Sequence, residues 1–132
     1  MSSVLVDSSV WIDYFRSGNK KIAQNLDALI DMNSICTNDL ILSELIPFLK
    51  HKKEFKLADL LQTLPKLLLE INWNEIIDFQ IINLKYGINN VGISDLIILQ
   101  NAIASHAALF SLDKHFSLMR RHINFKVPDF ES

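Results

Sequence analysis

Cysteine is nearly absent from this chain of 132 residues, with Cys36 standing alone. No internal disulfide can form, and a reducing, cytoplasmic setting is expected. Cys36 sits in the short apolar run Ile35-Cys36-Thr37, the environment of a small buried hydrophobe and not of a reactive thiol. No stretch approaches the roughly 18 to 20 apolar residues that a bilayer crossing needs. The N-terminus lacks the basic flank and small-residue cleavage site of a secretory signal, so no membrane role is expected. Glycine and proline are scarce, at three residues each, and no linker, repeat or low-complexity tract interrupts the chain. One domain over residues 1–132 is expected. An excess of basic charge is missing too. The net charge is -2 and the pI about 6.0, which makes no global case for nucleic-acid binding. The histidines, His51, His106, His115 and His122, show no ligand spacing such as two on one helix face.

What the chain does have is apolar content, 49% hydrophobic against 21% charged residues. That balance describes a globular protein with a well-filled core or an apolar surface used for association. Local basic clusters occur at Lys50-His51-Lys52-Lys53 with Lys56, and at Lys114-His115 with Arg120-Arg121-His122. Either a solvated helix end or a phosphate contact explains such a cluster.

The stretch Val4-Leu5-Val6-Asp7-Ser8-Ser9-Val10-Trp11 organises the rest. An aliphatic run reads as a buried strand, and it stops at a carboxylate, followed by hydroxyls that can cap a helix over Val10 to Phe15. Helical spacing of Ile22, Leu26, Leu29 and Ile30 gives a second helix, and Ser34 to Thr37 a short strand. Asn38 caps a helix over Leu40 to Leu49, which Pro47 should kink or shorten. Phe55 to Leu64 is helical up to Pro65. Leu67 to Ile71 is ambiguous in period, and its shortness favours a strand. Asn74 opens a helix to Gly87, and Ser94 caps a nearly all-apolar, central helix. Ala108 to Leu112 reads as a strand ending at Asp113, and Phe125 to Val127 as a last strand. Strands alternating with helices imply right-handed crossovers and a parallel sheet covered on both faces, an α/β layer sandwich.

Four acids differ from the solvated remainder. Asp7 and Asp113 each end an aliphatic strand, so in a parallel sheet both emerge on the edge where α/β proteins place their chemistry. Asp95 opens the most apolar helix, where complementing the helix dipole is the bland explanation. Glu44 has Leu40, Ile41, Pro47 and Phe48 as its helical neighbours, all apolar. It therefore projects from the core-facing stripe and needs a proton, a cation or a basic partner. Oxygen donors without a Cys/His pattern suit Mg²⁺ or Mn²⁺ better than Zn²⁺. A metal held this way fits phosphoryl chemistry.

These residues together resemble the PIN-domain ribonucleases, specifically stand-alone VapC-type toxins of toxin–antitoxin pairs. Val4 to Phe15 resembles their opening motif, and Leu42-Ser43-Glu44-Leu45 their second. Ile93-Ser94-Asp95-Leu96-Ile97-Ile98 resembles the third, and Phe110-Ser111-Leu112-Asp113-Lys114-His115-Phe116 the fourth. The resemblance implies a three-layer α/β/α sandwich with a mainly parallel central sheet. It also implies a Mg²⁺- or Mn²⁺-dependent endoribonuclease with ligands Asp7, Glu44, Asp95 and Asp113. Ser9 and Ser111 would line the site, and the products would carry 5′-phosphate and 3′-hydroxyl ends. Homodimers and a small antitoxin whose tail enters the groove are further implications. Pro47, one turn beyond Glu44, and the mildly acidic net charge depart from the pattern.

Two other readings use the same residues. An Asp-dependent phosphatase would need a second Asp two positions after Asp7, where Ser9 stands, and a receiver domain would need an acid pair that is missing. A catalytically silent interaction module on the same fold is the other, against which the complete acid set argues.

Overall fold

The computed structural model describes residues 3–130. Its centre is a parallel sheet of three short strands, β1 (Val4–Val6), β2 (Ile35–Cys36) and β3 (Ala108–Phe110), in the order β2-β1-β3. β1 lies in the middle with all three residues buried, which is why it reads as an unbroken aliphatic run. Strand alternation then assigns the layers. Leu5, Cys36 and Leu109 face one way, into a core with helices α5 (Trp73–Lys85), α6 (Ile93–Ala104) and α7 (Lys114–Met119). Val4, Val6, Ile35, Ala108 and Phe110 face the other way. There they meet α1 (Ser8–Phe15), α2 (Lys20–Asp31), α3 (Asp39–His51) and α4 (Phe55–Leu61). The expected α/β/α sandwich is the result.

The two outer strands expected at Leu67–Ile71 and Phe125–Val127 do not form. Each segment lies along an edge of the sheet, held by very little. Beside β2, Thr37 N–H donates to the Pro65 carbonyl at 2.9 Å, and Leu67 N–H to Thr37 at 2.8 Å, a single parallel bridge at Thr37 and Lys66. Beside β3, Leu109 N–H donates to the Lys126 carbonyl at 2.9 Å. Pro65 offers no N–H to extend the first ladder. Side chains on α6 take over instead. Gln100 pairs with both the N–H and the carbonyl of Asn72 at 3.1 and 3.0 Å, and Asn101 donates to the Leu68 carbonyl at 2.9 Å. The all-apolar helix therefore buries two amides whose task is to strap this segment down.

Helix boundaries differ in instructive ways. Asp7 itself, and neither Ser8 nor Ser9, occupies the N-cap of α1. Gly92 takes that place for α6 in the stead of Ser94, and Asn72 caps α5 in the stead of Asn74. Asn38 caps α3 as expected, accepting from Ile41 N–H at 2.8 Å. Its amide also donates to Asn101 Oδ1 at 2.8 Å, so one fully buried side chain ties α3 to α6. Pro47 neither ends nor shortens α3, which runs to His51. It lies on the exposed side, opposite the buried Ile41, Leu42, Leu45 and Leu49. On α5 the outward face carries Trp73, Ile77, Ile81 and Leu84, each more than half exposed.

Candidate metal centre

Parallel pairing of β1 and β3 in the register Val6–Phe110 brings their carboxyl ends side by side. Asp7 N–H donates to the Phe110 carbonyl at 2.9 Å, the last bond of that ladder. The next residues, Ser111 to Asp113, therefore cross directly over Asp7. Asp7 is 5% exposed, and burying a carboxylate this deeply demands partners. Two serines supply them. Ser9 Oγ and Ser111 Oγ donate to the same oxygen, Asp7 Oδ2, at 2.9 and 2.8 Å. Each hydroxyl in turn accepts a backbone N–H, Leu112 N–H onto Ser9 and Asp113 N–H onto Ser111, both at 3.0 Å. The two hydroxyl oxygens also lie 3.3 Å from each other. Both side-chain bonds fall on Oδ2, leaving Oδ1 without a donor among the described residues.

Asp113 caps α7, its Oδ1 accepting the His115 N–H at 2.9 Å. Asp95 lies in the first turn of α6, and donor atoms of Asp95, Asp113 and His115 come within 4.8 Å of one another. Glu44 stands outside this trio, as does Asp7, but both act on it electrostatically. Loss of solvation, then Asp113, then Asp7 hold the Asp95 carboxyl above its ordinary range. Glu44 is raised by loss of solvation and by Asp7 and Asp95. As a residue Glu44 is exposed, which corrects its expected place on the core stripe: that stripe is Ile41, Leu42, Leu45 and Leu49. It stands at the edge of the acidic cluster, where loss of solvation and then the charges of Asp7 and Asp95 raise its carboxyl. Being exposed, it carries no sizeable stability term.

His115 is the site residue that spacing did not reveal. Its Nδ1 lies 3.2 Å from Asp113 Oδ1, inside ion-pair distance, yet makes no hydrogen bond and is shielded from solvent. A search for paired histidines misses it because its companions are carboxylates. The signal was an acid at a helix cap with His two residues on, Asp113-Lys114-His115.

The donor set suits a divalent cation. Asp95 and Asp113 cluster with His115, Asp7 and Glu44 act on that cluster, and among the described residues no Lys or Arg forms an ion pair with any of the four acids; loss of solvation and like charge raise two of them, and a shielded imidazole nitrogen makes no hydrogen bond. A hard cation resolves each of these at once. The imidazole widens the choice from Mg²⁺ toward Mn²⁺.

Residues 4–121 match the family model of the PIN domain. No curated protein matches the chain. Among solved structures, a similar fold occurs in the crystal structure of VapBC2 from Rickettsia felis bound to a DNA fragment from their promoter. The likeness has a TM-score of 0.72 and 19% sequence identity, and it covers 97% of this chain and 98% of that one.

Proposed function

The chain belongs to the PIN domain family, and from that membership we propose that it is a divalent-metal-dependent endoribonuclease, the toxin of a type II toxin–antitoxin pair. The observation that carries this reading is the clustering of Asp95 and Asp113 with His115, with Asp7 and Glu44 close enough to act electrostatically and no Lys or Arg ion pair to these acids among the described residues. Asp7, Asp95 and Asp113 would hold Mg²⁺ or Mn²⁺, with Glu44 completing the acidic rim. When bound, the metal polarises the phosphodiester and lowers the pKa of an attacking water.

The side chains around it have separable tasks. Ser9 and Ser111 fix the rotamer of Asp7 by bonding one of its oxygens, which leaves the other for the cation. We read the two serines as orienting groups, since both bonds fall on one Asp7 oxygen, and hydrolysis as direct attack of a metal-activated water with no covalent enzyme intermediate. The products would carry 5′-phosphate and 3′-hydroxyl ends. Asn38 ties α3, which carries Glu44, to α6, which carries Asp95.

An antitoxin partner is supported by the family and by the toxin–antitoxin complex that shares the fold. Homodimerisation is supported by the exposed apolar row on α5. A cytoplasmic setting is supported by the single buried cysteine, and among the described residues no helix is long and apolar enough to cross a membrane.

Structured RNA incubated with the purified chain and Mg²⁺ should yield discrete cuts that chelation abolishes. Asp7→Ala and Asp95→Ala should remove both the cutting and the growth arrest on expression. An arrest that persists in both variants would sink the catalytic assignment, and a wild-type chain that cuts no RNA would point to an interaction module.

A further inference from the structure

Beside the acidic site opens a second cleft of about 620 Å³, and the two share a wall, since Ser111 and Asp113 line both. Its lining also carries the opposite charge. Lys114, Arg120 and Arg121 stand there, all exposed, and none lies within ion-pair distance of a carboxylate among the described residues. Arg120 is held in place, its Nε donating to the Phe125 carbonyl at 3.2 Å. The floor between is apolar, built from Leu109, Phe116 and Phe125. The cleft thus combines free cations, an apolar floor and direct continuity with the candidate metal centre.

A chain with a phosphate on every unit and a flat apolar base between them matches that combination. Such a polymer must continue past the acids, which repel it, and a basic channel next door offsets the repulsion. The volume lies within the roughly 300–1,000 Å³ that accommodates a small-molecule-sized group, which is room for a nucleotide or two of one strand. An acidic peptide would meet the same cations but does not carry a flat ring on every unit.

Resting on the ribonuclease reading, we propose that this cleft seats the nucleotides flanking the scissile phosphate of a single-stranded RNA. Lys114 and Arg121 neutralise the backbone, and the base lies against the floor beside Phe125. The basic cluster of α7 is then a substrate track, and the acidic net charge of the chain is no obstacle, because the positive charge is concentrated where the strand runs.

The test uses the full chain carrying Asp95→Asn, so that RNA is not cut, and a short unstructured RNA labelled for fluorescence anisotropy. Lys114→Gln and Arg121→Gln should each weaken binding roughly three- to ten-fold and reduce the salt-dependence slope by about 0.7 per lost phosphate contact. Lys85→Gln, on α5, should leave binding unchanged. Thermal melts of all variants check that each folds. Binding within about two-fold of the parent for both cleft variants overturns the proposal, as does a parent that binds no RNA at low salt or prefers polyglutamate. RNA cutting by the wild-type chain is scored separately, so a nuclease with an idle cleft and a chain with no nuclease activity give different results.

Discussion

Two serines donating to one carboxylate oxygen form a coupled unit, and a double-mutant cycle should expose the coupling. Ser111→Ala removes a hydrogen bond to ionised Asp7 and also strands the half-buried Asp113 N–H. A charge-assisted bond contributes about 1.5–3 kcal/mol. Ser9→Ala removes the same kind of bond but strands Leu112 N–H at an exposed residue, where water replaces the hydroxyl. The expected order is therefore Ser111→Ala at about 2–3 kcal/mol and Ser9→Ala at about 1–2 kcal/mol. In either single variant Asp7 Oδ2 keeps one donor. In the double variant a carboxylate that is 5% exposed keeps none. The double loss should exceed the sum of the singles by about 1 kcal/mol, within the range found for residues sharing a partner. Urea unfolding of the four proteins measures the cycle. Titration with Mn²⁺ should show a roughly 10- to 100-fold weaker affinity in each single variant, the usual effect of losing a group that orients a ligand. Strict additivity together with unchanged Mn²⁺ affinity would refute the idea that both hydroxyls act through one oxygen of Asp7.

Other outcomes follow from the same geometry. Asn38→Ala removes the cap of α3, worth about 0.5–2 kcal/mol, and leaves Asn101 Oδ1 unpaired in the core at about 1–3 kcal/mol. Calorimetry should show a Tm lower by about 5–18 °C, and Asn38→Ser, which keeps the cap, should recover part of it. Asp95 and Glu44 both titrate above their ordinary values of 3.8 and 4.5, so between the ordinary and raised values the folded metal-free chain holds more protons than the unfolded one. The contribution of Asp95, the less exposed of the two, is fully present below its ordinary value and is lost as pH rises through the raised one. Asp95→Asn should accordingly raise the Tm of the metal-free protein at neutral pH, and Mg²⁺ affinity of the wild type should climb over the same pH interval as protons leave. A Tm lowered by Asp95→Asn would contradict that electrostatic account. Burial pushes the Cys36 thiol up to about 11, so iodoacetamide at pH 8 should label it only on unfolding.

Some features were legible because they depend on a residue's own run of sequence. β1 and β3 are aliphatic segments that stop at or near carboxylates, and that pattern places Asp7 and Asp113 at one edge without knowledge of any partner. The outer strands were not legible, because whether Leu67–Ile71 pairs depends on Pro65, Gln100 and Asn101, which lie outside it. Glu44 was singled out on a wrong premise. Apolar neighbours three and four positions away do not make a face buried when one of them is an exposed proline, and its place on the rim depends on how α3 straddles the two cores. His115 escaped because its role rests on α7 turning it back toward Asp113 and Asp95, a tertiary event that leaves no periodic trace.

The hydrogen bond from Ser111 to Asp7 spans 104 positions of the chain, and this separation has a consequence for biosynthesis. β1 leaves the ribosome before β3, and its central place in the sheet stays half-vacant until β3 has been made and has paired. Contacts this distant in sequence form late. Asp7 therefore has no Ser111, no Asp113 and no His115 beside it until β3 and the residues after it have emerged. Under the proposed nuclease function, the acidic site stays incomplete beside the message and the ribosome while that span is being made.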